Sequence, residues 1–233
     1  MGVIQDIAPI LKKKELTLVE SYEERDEVYT FIFKKEEGLT WKAGQHGIFS
    51  ITHKKIKKST RPFSVASAPF ENTIKVSTRI SEAPSEFKKA LLELEPGMKL
   101  NMRGPVGPLY IDHETPALLI AGGIGITPFR AILKEAEQQG RHQLQLLYID
   151  SKESFLYKNE LDEIAKDTSI TVNYLNSREE LYAGMDIFIK EHNDAGMYYL
   201  GGSKSMVDSV ETYLKNHRVS KGNIKKDIFI GLK

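Results

Sequence analysis

One stretch limits what this chain can fold into more than any other: ALLIAGGIGITPFR, from Ala117 to Arg130. ALLIA is a continuous apolar run, the pattern of a strand buried on both faces. Gly122, Gly123 and Gly125 follow at once, and glycines there permit a tight turn that brings backbone N–H groups close to a ligand. Thr127 is placed to cap a helix, and Pro128 suits its first turn. Phe129, Ile132, Leu133 and Ala136 then recur at i, i+3, i+4 and i+7, one buried helix face, with Gly140 as the stop. Strand, glycine turn and helix N-terminus together make an anion site, with free amides and the positive dipole end aimed at a phosphate. The spacing is not GxGxxG, so the ordinary dinucleotide fingerprint does not apply. Taken alone, the turn is also explained as a tight connection in any α/β domain.

The rest of the chain decides between the two. ALLIA, LQLLYI, ITVNYL, MYYL and DIFIG are five apolar strands, and helical patterns lie between them at 128–139, 157–166, about 185–192 and 203–217. Alternating βα units imply a parallel sheet with helices on both faces and ligands at the carboxyl ends of its strands. Gly122–Thr127, Asp150–Lys152, Asn176–Arg178 and Gly201–Ser203 all fall at such ends. A nucleotide site accounts for four polar or glycine-rich ends along one sheet edge.

Before Ala117 the rhythm differs. LTLVESY, VYTFIF, HGIFSI, FSVAS, TIKVSTRI and MKLNMR are short β-branched and aromatic runs parted by turns, which suggests a sandwich or small barrel. One helix interrupts them, opened by Pro84 and Ser85, with Phe87, Ala90, Leu91 and Leu94 on its buried face and Pro96-Gly97 at its end. Arg61-Pro62-Phe63-Ser64 combines a fixed cation, a flat aromatic and a hydroxyl; an edge strand with a solvated arginine is the plainer account of that tetrapeptide by itself. Ser85 likewise reads either as an ordinary N-cap or as part of a phosphate site. The lysine-rich loop His53–Lys58 has the composition of a solvated loop, and beside a redox centre it would suit an acidic partner. Residues 1–14 form an N-terminal extension, 15–112 the β domain and 113–233 the α/β domain.

Composition removes other classes. A 233-residue chain with 40% apolar and 28% charged residues is an ordinary globular protein, and its formal charge of +1 favours no nucleic acid. With no cysteine, the chain has no disulfide, no thiolate nucleophile and no ligands for a cysteine-held iron–sulfur cluster. No apolar run approaches the ~20 residues of a membrane span, and the start is not a secretory signal, so a cytoplasmic location is expected. Val3, Ile4, Ile7, Ile10 and Leu11 could form a short amphipathic turn. Six scattered histidines lack ligand-like neighbours, and no metal site is expected.

RPFS at 61–64, the helix start at Ser85, RGPVG at 103–107, AGGIGITP at 121–128 and GGSKSM at 201–206 occur in that order. The ordered set resembles the ferredoxin–NADP reductase family of flavoproteins, from about Glu15 to Phe229. The resemblance implies an antiparallel flavin-binding β-barrel followed by an α/β domain with a five-stranded parallel sheet for the pyridine nucleotide. It implies FAD rather than FMN, with NADPH or NADH as hydride donor and a separate electron carrier such as ferredoxin or flavodoxin as acceptor. Arg61, after which comes Pro62, would then hold the flavin phosphates, Phe63 would stack on the isoalloxazine, and Ser64 would bond near N5, making Ser64 and Phe63 the catalytic pair. Ser85 would take phosphate, and Val76, Ser77 and Thr78 would lie along the flavin by backbone contact. Gly122, Gly123, Gly125 and Thr127 would cradle the nucleotide's phosphates, while Gly201, Gly202 and Met206 would line its nicotinamide end. The chain has Phe63 where members often have Tyr, Glu82 where many have glycine, and Gly201-Gly202-Ser203 where many have Cys-Gly-Pro. The same resemblance also covers reductases that treat flavin as a free substrate, and non-catalytic flavin-binding subunits that sense redox state.

The nucleotide draws two opposed cues. Asp150 ends the second strand of the sheet, where an acid can bond a ribose 2′-hydroxyl and repel a 2′-phosphate. Ser177-Arg178 resembles the pair with which NADPH-using members hold that phosphate, and Tyr182 follows as a candidate to stack on adenine. Arginine's fork suits phosphate and Asp150 could turn outward beside Lys152, which tips the expectation to NADPH.

Overall fold

The computed structural model of the protein describes residues 12–25, 27–140 and 143–229. The amphipathic turn expected over Val3–Leu11 lies outside them. The chain divides after Tyr110 into two compact units.

The first unit holds six strands: β1 (Lys13–Arg25), β2 (Val28–Lys34), β3 (His46–Ser50), β4 (Thr60–Ser64), β5 (Thr73–Arg79) and β6 (Lys99–Val106). They form one antiparallel sheet in the order β4-β3-β6-β1-β2-β5. β1 is its spine. Its first residues, Lys13–Thr17, pair with β6, and the stretch from Leu18 onward pairs with β2 after a shift of register between Leu18 and Glu20. Such an irregularity bends a strand and raises its twist, so one long strand serves two halves of a curled sheet.

The curl stops short of a closed ladder. β4 and β5 are the two edges, and past the end of β4 they are joined by Ala66 N–H donating to Lys75 O (2.8 Å), Ser67 Oγ donating to Thr73 O (2.6 Å) and Lys75 N–H donating to Ser67 Oγ (3.0 Å). The run FSVAS therefore does not continue as strand: the ladder is Thr60–Ser64, and Ala66 and Ser67 instead stitch the edges together. Inside lies an apolar cluster that includes Phe31, Phe33, Phe49, Ile74, Leu100 and Met102. Helix α1 (Glu86–Leu92) covers it with Phe87, Ala90 and Leu91.

In the second unit, β7 (Ala117–Gly122), β8 (Leu144–Ile149), β9 (Thr171–Leu175), β10 (Met197–Ser203) and β11 (Ile224–Phe229) make a parallel sheet in the order β11-β10-β7-β8-β9. Its helices are α2 (Thr127–Gln139), α3 (Lys158–Asp167), α4 (Arg178–His192) and α5 (Lys204–Asn216). β7 is central, and β7 through Ala121 is buried. The chain adds strands outward on one side of β7 and then returns to the other. The crevice of an open α/β sheet opens at such a reversal, here at the carboxyl ends of β7 and β10.

α4 is longer than its periodicity suggests, starting at Arg178 instead of near 185. Its first turn, Arg178-Glu179-Glu180, is polar, and Gly184 resembles a breaker. In the fold Gly184 is where the helix approaches the sheet, since a Cβ there would lie 3.0 Å from Leu147 Cδ2. Leu181, Met185, Phe188 and Ile189 form its buried face.

α5 is fastened to β11 by a carboxylate. Glu211, 9% exposed, is bonded by Lys215 at 2.8 Å and by Lys226 of β11 at 2.5 Å. The two ammonium groups, Lys215 first, hold its pKa at about 2, below the ordinary 4.5. A carboxyl depressed in the folded state stabilises it above the unfolded pKa and loses that contribution as pH falls toward the folded one. Glu211→Gln is therefore expected to cost on the order of 2–3 kcal/mol at neutral pH. The mutant and wild-type stabilities, followed by denaturant titration, should converge between about pH 4.5 and pH 2. Parallel curves across that window would show that the carboxylate does not supply the difference.

Candidate functional site

In the first unit, β4 alternates, so that Arg61 and Phe63 share one face while Thr60 and Pro62 are exposed. Proline is tolerated because β4 is an edge strand. The Phe63 ring lies 5.8 Å from that of Phe49, edge-on, and 5.7 Å from that of Phe87 on α1. The Arg61 guanidinium stands 5.9 Å from the same Phe87 ring. Phe87 thus joins two segments distant in sequence, RPFS and the helix that Ser85 caps. The Ser85 hydroxyl accepts the Lys88 N–H at 3.4 Å.

A cation missed in the sequence completes this corner. Burial lowers the Lys88 pKa, and Arg61 and then Arg79 lower it further. Three positive groups near one another repel unless an anion joins them, and flavin phosphates are anions of the required kind. Arg79 is partly offset by Glu27 at 3.6 Å. The residues present therefore fit a phosphate-bearing ligand. Val76, Ser77 and Thr78 lie on β5, the last strand of the sheet. Val76 packs into the core, Ser77 Oγ lies against Thr30 Oγ1 at 2.6 Å, and Thr78 Oγ1 donates to Arg79 O at 3.5 Å. Ser64 is buried at the end of β4, 5% exposed, and Phe63 is partly buried against the core.

In the second unit the glycine turn is more compact than a plain strand-to-helix junction. Gly123–Ile126 form a turn of 3-10 helix, and α2 follows with Ile126, not Thr127, at its N-cap. Thr127 is buried and its hydroxyl donates to Ile124 O at 3.1 Å, so the expected cap is corrected: Thr127 locks the turn from inside. Gly123 has φ +52°, a conformation that disfavours a side chain. Gly125 has a packing role as well. A Cβ on it would lie 2.2 Å from Gly201 O, and one on Gly201 would lie 2.6 Å from Gly125 O. Both are buried, and they permit the turn and the end of β10 to touch backbone to backbone. Gly122 and Gly123 are half-buried, while Gly125 is buried. Gly122 and Gly202 flank the Met206 sulfur, which would lie 2.1 Å and 2.9 Å from Cβ atoms placed on them. Ser203 caps α5, its Oγ accepting the Met206 N–H at 3.4 Å.

At the neighbouring strand ends, Asp150 does not turn outward. Its Oδ1 accepts the Lys152 N–H at 2.8 Å and its Oδ2 reaches 3.8 Å from the place of a Gly123 Cβ. Ser177 caps α4 by accepting the Glu180 N–H at 3.3 Å, which leaves Arg178 exposed on the first turn. Tyr182 is stacked on Tyr213, ring centroids 4.3 Å apart, so one face of it is already covered. Among the described residues no group of three or more His, Cys, Asp or Glu could hold a metal ion, and no helix is long and apolar enough to cross a membrane.

Comparison with known proteins agrees with this layout. Residues 119–212 match the family described as oxidoreductase NAD-binding domain. The NAD(P)H-flavin reductase of Vibrio harveyi is 30% identical over 164 residues, which is 65% of this chain and 66% of that protein. The toluate 1,2-dioxygenase electron transfer component of Pseudomonas putida is 28% identical over 187 residues, covering 73% of this chain and 54% of that one. The chain thus spans about half to two-thirds of the length of these curated relatives. Among solved structures, ferredoxin–NADP+ reductase from Plasmodium falciparum superposes with a TM-score of 0.79 at 18% identity, over 94% of this chain and 97% of that one. A curled antiparallel sheet followed by a parallel sheet whose central strand runs into a glycine turn, with the relatives above, places the chain in the ferredoxin–NADP reductase-like family of flavoprotein oxidoreductases.

Proposed function

We propose that the protein is a flavin-dependent NAD(P)H oxidoreductase that retains FAD and passes its electrons to a separate acceptor. The observation that carries this reading is the cluster of Arg61, Arg79 and Lys88, with Arg61 over the Phe87 ring against which Phe63 packs, like charges that a diphosphate would neutralise. When bound, flavin supplies the redox chemistry, taking up hydride and releasing electrons to the acceptor. The residues of the chain bind, orient and shield. The three cations hold the phosphates, and Phe63 gives the ring an aromatic face. Buried Ser64 holds a hydroxyl at the end of β4 beyond Phe63, where it would set the polarity around the reacting nitrogen. Backbone groups at Gly122 and Gly123, with the N-terminal end of α2, receive the nucleotide's phosphates. In this reading a separate carrier takes the electrons onward.

The test is spectroscopic. The purified protein should keep stoichiometric flavin through gel filtration, and NADH or NADPH should bleach it anaerobically. An added one-electron carrier should restore the colour. Ser64→Ala should keep the flavin and lower the rate of bleaching in a single turnover; equal rates would remove the role given to that hydroxyl. The name of the Vibrio harveyi relative favours a second reading, flavin as a passing substrate. Colourless protein that reduces added flavin would establish the second reading over the first. Retained flavin that no nicotinamide nucleotide bleaches would instead mark a non-catalytic subunit.

A further inference from the structure

We infer that the adenosine end of the nucleotide site is built for NADH and turns NADPH away, with Asp150 as the group that meets the ribose 2′-hydroxyl. The inference rests on the second unit binding a nicotinamide nucleotide, and it reverses the preference that Ser177-Arg178 suggests from sequence.

Placement comes first. β8 lies beside β7, with Ile149 paired to Gly122, so Asp150 follows directly beside the glycine turn. Its carboxylate is oriented: one oxygen is tied to the Lys152 N–H, and the other reaches toward Gly123. An ionised carboxylate only accepts hydrogen bonds. A hydroxyl at the ribose 2′ position can donate to it, whereas a 2′-phosphate, bearing about −1.5 to −2 charge near neutral pH, is repelled.

The surroundings reinforce this acid. Asn176, at the end of β9, donates its side-chain amide to Glu153 Oε1 at 2.9 Å and its backbone N–H to Glu180 Oε2 at 3.0 Å. One asparagine thereby holds two more carboxylates beyond the ends of β8 and β9. Over 150–153 and 176–180 the charged residues are Asp150, Glu153, Glu179 and Glu180 against Lys152 and Arg178. The excess is negative.

The cue for NADPH is weakened by the same geometry. The Ser177 hydroxyl already serves as the cap of α4, accepting the Glu180 N–H. Arg178 is exposed at the first position of that helix, next to Glu179 and Glu180. A lone exposed arginine between acids attracts a phosphate less than a paired one does, because water and neighbouring carboxylates screen it.

The experiment measures dissociation constants of NADH and NADPH for the full protein by fluorescence titration, which does not depend on hydride transfer. NADH is expected to bind at least about tenfold more tightly, the size of effect that a carboxylate and a phosphate several ångströms apart in water produce. Asp150→Asn should narrow the ratio about tenfold, mainly by improving NADPH. Glu153→Gln, which keeps an oxygen for Asn176, should narrow it by a smaller factor. Equal or tighter binding of NADPH by the wild type overturns the inference, and so does a ratio that neither substitution moves. In both cases nucleotide binding itself still stands. If neither nucleotide binds, the inference falls together with the nucleotide reading beneath it.

Discussion

Gly125→Ala should destabilise the second unit by about 3 kcal/mol or more, a large fraction of the roughly 5–15 kcal/mol of an ordinary domain. The added methyl would meet the carbonyl oxygen of Gly201 at 2.2 Å, its carbon at 2.4 Å and the nitrogen of Gly202 at 2.7 Å. All three atoms belong to the backbone of β10, which is laddered on both sides by β7 and β11. No flexible side chain can yield, so β10 or the 3-10 turn must move. Gly222→Ala is the matched control, because a Cβ there has nothing within 4 Å. That change should stay within about 0.5 kcal/mol. Denaturant unfolding of the two variants beside wild type decides the matter. Near-equal midpoints would mean that the turn and the strand end are not in rigid contact.

Arg61→Ala should give the largest effect on ligand binding. Removal of a charge-assisted phosphate contact costs roughly 1.5–3 kcal/mol, a ten- to hundred-fold loss of flavin affinity. Lys88 and Arg79 remain to attract the anion, so binding should weaken without vanishing. Arg61→Lys should fall between, since it keeps the charge and loses the planar fork. Flavin fluorescence titration of folded variants reads the effect directly. Affinity unchanged in Arg61→Ala would remove the phosphate role from this corner of the first unit.

These two residues differ in how visible they are before folding. Arg61 stands in a compact motif, RPFS, whose residue types name their chemistry, and Ser85 stands before a helix with a regular apolar face. Both are legible because their signals are local. Lys88 is not, for it is one of two adjacent lysines on a short helix and looks solvated; only the approach of Arg61 and Arg79 distinguishes it from Lys89. The contact of Gly125 with Gly201 joins two loops far apart in the chain, and local pattern suggests ligand approach for both glycines instead. Thr127 was expected as a cap because strand, glycines and helix seem continuous in sequence. The intervening 3-10 turn moved the helix start by backbone geometry alone. The three inner strands of the parallel sheet are readable because they are dense apolar runs, whereas the edge strand β11 starts at Ile224, before the DIFIG run, because Lys225, Lys226 and Asp227 hide its first half. The early start of α4 was hidden by a polar first turn that Ser177 caps.

The double duty of β1 also bears on the order in which the first unit can assemble. Its pairing with β2 is a hairpin of neighbouring residues, Arg25 opposite Val28, and closes a short loop. Its pairing with β6 sets Lys13 opposite Arg103 and Thr17 opposite Lys99, across nearly the whole unit. Long loops cost more entropy to close and slow folding, so the hairpin is available well before its other flank is covered. During synthesis the N-terminal half of β1 must wait, with an unpaired edge, until β6 has left the ribosome. The charges along that waiting stretch, Lys13, Lys14 and Glu15, are of the kind that discourage pairing with the wrong strand in the interval.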